Sequence, residues 1–222
     1  MWRDAALVAG KDLRIEARSR VATNQIAPFA VLVLVLFGFA LDPDRGILAR
    51  ASAGLFWVAV LFSALLAVQR SFAVEGADNG RDGLRLLGID PGGIFMGKAA
   101  AIFVELAALE VLLSVGVVVL YGVDLDRAGL MVATAAMATI GLAAAGTVYG
   151  ALAAGLKVRE TLLPLLLLPV LAPVLLGATR AWEAALGTSV DDGWRWVQLL
   201  GVFAAVYVAF GLVGFGALMD ET

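Results

Sequence analysis

Apolar residues in this chain fall into long unbroken runs separated by short polar stretches. Six runs stand out: about Gln25–Leu41, Ala53–Val68, Ala99–Tyr121, Ala128–Leu156, Thr161–Ala178 and Trp196–Met219. Each approaches the ~20 residues that a helix needs to cross a hydrocarbon core about 30 Å thick. The runs are continuous rather than alternating, which argues against the dyad pattern of a membrane β-barrel. The pattern therefore predicts an all-α polytopic membrane protein of six transmembrane helices, built as a single permease-like domain over residues 1–222. Composition agrees, because 62% of the residues are hydrophobic where soluble domains run at about half.

The polar stretches carry more information than the apolar ones. Residues 2–20 have helical periodicity: at 100° per residue Arg3, Lys11, Arg14 and Arg18 share one arc, and Trp2, Ala6, Ala9 and Leu13 cluster opposite them. That is a basic amphipathic helix suited to anionic headgroups and lying on the membrane surface. These residues are charged and lack the apolar core of a cleavable leader. The longest polar interruption runs from Val74 to Gly97, between the second and third spans.

Lys and Arg set the expected orientation. The N-terminal stretch, the 74–97 connection with its flanks, and the connection holding Lys157 and Arg159 carry eleven basic residues between them. Arg45, Arg50, Arg127, Arg180 and Arg195 make five on the other side. The richer side is expected in the cytoplasm. An even number of spans then puts both termini there as well. The net charge of −3 does not reveal this asymmetry.

The chain has no Cys and no His. Disulfides, thiolate chemistry, a zinc site and an imidazole base are therefore excluded, and a bound haem iron would need an axial ligand from Met, Tyr or another protein. Glu105 and Glu110 are the acidic residues inside the third span. A carboxyl at that depth faces a protein interior or a cavity, so the pair reads either as the polar lining of a conduit or as a buried contact that fixes packing. Five positions apart, the two do not form one paired-carboxylate site. Gly141, Gly146, Gly150 and Gly155 in the fourth span, with Gly201, Gly211, Gly214 and Gly216 in the sixth, let helices approach closely, within the chain or across a dimer. Pro164, Pro169 and Pro173 break the donor ladder of the fifth span. This predicts a helix bent along a substrate path, a helical hairpin, or a kinked packing element.

Gly92 to Ala99 nearly matches a phosphate-binding loop, but Ala99 stands where a hydroxyl should hold magnesium, and no strand precedes it. The match is read as chance, and the chain as binding no ATP and catalysing no reaction. Within the polar interruption Asp78 or Asn79 can cap a short helix, and Pro91 with Gly92 and Gly93 can stop it. Residues 75–90 then present Leu84 and Leu87 one turn apart, ringed by Arg81, Asp82 and Arg85, with Glu75, Asp78, Leu86 and Asp90 around them. An apolar patch edged by charge suits docking by a soluble partner. So short a helix needs a partner or the membrane surface to hold it.

The stretch RSFAVEGADNGRDGLRLLGIDPGGIFMGKAAA resembles the corresponding segment of the CcmB family, haem exporter protein B. So do VLFGFALDP at the end of the first span, RETLLPLLLLPVLAPVLLGATRA in the fifth, and the charged start KDLRIEARSR. Their order and spacing cover nearly the whole chain. The resemblance implies an ABC-2 exporter-like permease of the bacterial inner membrane. In that reading it pairs with an ATP-binding subunit, CcmA, which holds ATP-Mg, and is itself a homodimer. It acts with CcmC and CcmD to release the haem-loaded chaperone CcmE during cytochrome c maturation. Haem b is then handled by the complex, with no cofactor bound by this chain and no nucleic acid involved. The alternatives are an ABC-2 exporter permease for a lipid, polysaccharide or drug, or a non-transporting membrane scaffold.

Overall fold

The computed structural model describes residues 1–41, 45–77, 88–122, 127–154, 159–190 and 192–220. The described chain is helical nearly throughout: α1 Trp2–Ser19, a π-helical turn Ala22–Ile26, α2 Ala27–Ala40, α3 Arg45–Ala77, α4 Pro91–Tyr121, α5 Ala128–Ala154, α6 Arg159–Ala185 and α7 Trp194–Asp220. Among the described residues five helices, α3 to α7, are long and apolar enough to cross a membrane. The first apolar run forms a shorter rod, Asn24–Ala40, that meets α1 at 54°. At 1.5 Å per residue this rod is about 25 Å long. Large apolar side chains including Leu36, Phe39, Val119, Val202 and Val213 face outwards. A surface of that kind is stable against lipid rather than water.

α5 is the hub, packed against α3, α4, α6 and α7, and its small residues explain why. A Cβ on Gly141 would come within 2.9 Å of the Phe203 ring on α7, and one on Gly146 within 2.6 Å of Val68 on α3. One on Gly150 would overlap the ring of Phe72. These glycines are used for packing within the chain. Thr134 and Thr147 return their hydroxyls to carbonyls one turn back, at 2.7 Å each, so α5 buries them without an unmet donor.

Several boundaries move from their expected places. The second run is the centre of a longer helix, α3, which continues past Val68 to Ala77. The third span begins at Pro91 and not at Ala99. The short helix that Pro91, Gly92 and Gly93 are expected to stop lies outside the described residues, and Pro91 itself starts α4. Proline lacks only an N–H that the first helical turn would leave unpaired anyway, and Asp90 caps the turn by accepting from the Gly93 N–H at 2.8 Å. The fifth run is one continuous helix through Pro164, Pro169 and Pro173, so the hairpin is not formed. The near phosphate-loop sequence is the first two turns of α4.

At one end of the bundle the core is aromatic. Phe56 stacks on Trp182 with ring centroids 4.0 Å apart, and Trp57 meets Trp182 edge-on at 5.6 Å. The Trp182 indole donates to the Met131 carbonyl at 3.3 Å. The Tyr121 hydroxyl donates to the Leu34 carbonyl at 2.7 Å, tying α4 to α2.

Candidate functional site

At the other end, α3 runs into the polar connection and α4 returns from it, and α1 lies across them. The contact is backbone to backbone. Gly93 and Gly97, four residues apart on α4, are both buried beneath α1. A Cβ on Gly93 would stand 2.9 Å from the Asp4 Cβ, and one on Gly97 would stand 2.6 Å from the Val8 Cβ and 2.7 Å from the Ala5 carbonyl. Two small residues at this spacing form a groove into which another helix can settle. Ala5 and Val8 are the residues of α1 that fill it.

α1 therefore has three faces. Ala5 and Val8 meet the bundle, Arg3, Arg14 and Arg18 are exposed, and Trp2 and Ala6 are also exposed. The predicted apolar face is thus not the one that packs on the protein. Trp2 and Ala6 on it are left free for a lipid surface, as an interfacial helix requires, while Ala9 and Leu13 are half-buried. Arg20 adopts a left-handed conformation (φ 54°) and its N–H returns to the Glu16 carbonyl at 2.9 Å, ending α1 before the π-helical turn.

A buried cation fastens this corner. Lys98 is 1% exposed, and its Nζ donates to Asp12 Oδ2 on α1 and to Ser71 Oγ on α3, both at 3.2 Å. It also stands 4.8 Å from the centre of the Phe72 ring. Lys11 reaches the other oxygen of Asp12 at 2.9 Å. A buried ammonium is tolerated only where it is paired and hydrogen-bonded, so the position of Lys98 requires α1 and α3 to be seated together. Beside it Asp12, Glu16, Arg70 and Glu105 line a narrow crevice. At the start of α1 the terminal ammonium donates to Asp4 at 3.2 Å. That ammonium, chiefly by the hydrogen bond, holds the Asp4 carboxyl below its ordinary range.

α7 closes the corner from the far side. A Cβ on Gly211 would overlap the Phe95 ring, and one on Gly216 would stand 3.6 Å from the Pro91 ring. Phe95 and Phe215 pack at 5.7 Å. The start of α1 and the end of α7 thus lie at the same end of the bundle as the two roots of the polar connection.

The expected site residues are distributed as follows. Asp78, Arg81, Asp82, Leu84, Arg85, Leu86 and Leu87 lie outside the described residues. Glu75 belongs to the last turn of α3, its side chain outside the description. Asp90 caps α4. Glu105 and Glu110 point apart: Glu105 borders the crevice towards α1 and α3, and Glu110, 5% exposed, accepts from the Thr139 hydroxyl of α5 at 2.5 Å. Among the described residues no cluster of three His, Cys, Asp or Glu side chains could hold a metal ion. Sequence reasoning missed Lys98 and Asp12. The available signal was a lysine one residue past two glycines at spacing four, together with an acid inside an otherwise basic helix.

These features define a multi-pass helical membrane protein whose longest polar connection is clamped at both roots against an interfacial helix. The chain belongs to the CcmB family, described as CcmB protein, whose model matches residues 4–219. It is 31% identical over 183 residues to Heme exporter protein B of Haemophilus influenzae, covering 82% of each chain. It is 30% identical to that of Rhodobacter capsulatus, covering 82% of this chain and 84% of the relative. With that of Escherichia coli K12 it shares 31% identity over 87% of each.

Proposed function

We propose that this chain is the membrane permease subunit of an ABC-type haem-export complex for cytochrome c maturation. The relatives' name, Heme exporter protein B, supports the cargo. The single observation that carries the mechanical part is the Lys98 clamp. Any displacement of the 75–90 connection reaches α3 and α4 at their roots, and there Lys98 ties both helices to α1. Residues 75–90 are the docking element for a CcmA-like ATP-binding subunit, and ATP turnover occurs on that partner. The chain itself is non-catalytic. Having no His or Cys, it leaves haem iron to CcmC- and CcmE-like partners, with a CcmD-like subunit completing the assembly around a homodimer of this chain.

The clamp end is cytoplasmic in this reading and the membrane is the bacterial inner membrane. The excess of Lys and Arg on the connections at that end supports it, and so does the common location of α1, α7 and the roots of the connection. The test is capture of the ATP-binding subunit by the full chain, wild type against Leu84→Asp/Leu87→Asp. Docking through that patch predicts at least about tenfold weaker capture, the scale of losing a buried apolar anchor. Unchanged capture together with unchanged release of the haem-loaded chaperone would remove the coupling role.

A further inference from the structure

A cavity of about 330 Å³ opens beside the clamp, between the turn at Val21–Ile26, α3, α5 and the start of α6. Its walls are largely apolar and include Leu66, Phe72, Ala153 and Leu163. Its polar end is formed by Arg70, with Gln25 and Gln69 beside it. The Arg70 Nε is buried and has no hydrogen-bond partner, and none of the described ion pairs includes this side chain. Glu16 and Glu105 lie along the crevice that Arg70 lines on its other side, so the local charge is not purely positive. A buried guanidinium donor left unmet is costly. The group that meets it best is a planar or tetrahedral oxyanion bound through two parallel N–H bonds.

Position selects among the oxyanions. Arg70 is four residues from the end of the apolar stretch Arg50–Val74, which is the depth of a lipid headgroup. An apolar chamber beside a guanidinium suits a charged head with a hydrocarbon body. A free ion would satisfy Arg70 and leave the chamber empty.

We propose that this cavity binds an anionic phospholipid, its phosphate on Arg70 and an acyl chain between Phe72 and Leu163. The lipid would wedge α3 against α5 and α6 immediately behind the Lys98 clamp. The experiment is native mass spectrometry of the full chain, titrated with phosphatidylglycerol, with phosphatidylcholine and with inorganic phosphate. Wild type is expected to retain phosphatidylglycerol about tenfold better than phosphatidylcholine, and Arg70→Gln to abolish that preference. Arg70→Lys should keep part of it, because charge survives without the two-pronged geometry.

Ala73→Leu narrows the chamber with Arg70 intact and should lose phosphatidylglycerol. It decides the matter should Arg70→Gln fail to fold. Equal retention of the two lipids by wild type would overturn the proposal, as would undiminished phosphatidylglycerol preference in Arg70→Gln or Ala73→Leu. Competition by millimolar phosphate without lipid would overturn the acyl-chain half and leave an ion site. None of these readouts depends on the partner ATPase or on haem.

Discussion

The two ends of the bundle are held by different forces. At the aromatic end Phe56, Trp57, Trp182 and Tyr121 fill the space between helices, and two neutral hydrogen bonds to backbone carbonyls orient Trp182 and Tyr121. Dispersion and area dominate there, so moderate changes in shape should be absorbed. At the clamp end the helices touch through glycines, and a buried ammonium links three elements. A glycine contact has no slack, and a buried charge has no tolerance for losing a partner. The clamp end therefore has one good arrangement and poor neighbouring ones. That suits a corner which must pass a displacement on rather than dissipate it.

The largest effect is expected from Lys98→Met, which takes the buried cation away from Asp12 and Ser71 and leaves the Asp12 carboxylate with Lys11 alone. Thermal unfolding in detergent should show a loss of about 3 kcal/mol. Adding Asp12→Asn to Lys98→Met should recover part of that loss, and a double-mutant cycle reads the coupling directly. Purely additive single changes would mean that the two ends do not differ in kind.

Gly97→Val comes next. The added methyls collide with the Ala5 carbonyl and Val8, and overpacking of this sort costs about 1–3 kcal/mol. Its signature is local: faster amide exchange and proteolysis within residues 2–19, with the aromatic end unchanged. Exchange rising equally in both regions would erase the distinction between them.

Thr139→Val removes the hydroxyl that satisfies Glu110 between the two ends and should cost about 1–2 kcal/mol in the same melt. Trp182→Phe keeps most of the ring and loses the bond to Met131, so a cost of about 1 kcal/mol is expected. If it proves as damaging as Lys98→Met, the aromatic end is the more brittle of the two.

The smallest effect concerns Asp4. Its carboxyl lies below the ordinary 3.8 because the terminal ammonium donates to it. The sign follows from that lowering. The interaction contributes fully above pH 3.8 and is lost as the pH falls below that value through the lowered one. Exchange in the first turn of α1 should thus quicken only on the acid side of pH 3.8, and Asp4→Asn should abolish that limb.

Much of this architecture was legible because lipid-spanning helices declare themselves by length and continuous apolarity. The basic face of α1 was equally readable, since Arg3, Arg14 and Arg18 repeat at helical spacing and remain exposed. The face of α1 that packs was not. Ala5 and Val8 make a modest stripe beside the stronger one of Trp2, Ala6, Ala9 and Leu13, and only the presence of α4 selects it. Pro91-Gly92-Gly93 can be read from the sequence as the end of a preceding segment, and its second role as the start of a helix is not legible, because proline and glycine punctuate helices at either end. Asp90 one residue earlier decides the direction, and its role depends on whether its oxygen reaches the Gly93 N–H. The separate surroundings of Glu105 and Glu110 were readable as an angle along one helix, but their neighbours were not.

Composition and order of residues alone determined that the chain is an all-α membrane protein, which runs are buried in lipid, and which family it belongs to. Each of these depends on local hydropathy or on matched sequence, and neither requires a partner helix. Tertiary structure alone decided that Lys98, read first as part of a chance motif, is the buried cation joining α1, α3 and α4. It also decided that Arg70 lines a chamber with an unmet donor. The energy of a charged group in a membrane protein is set by what surrounds it in space, and for both residues those surroundings come from helices far away along the chain.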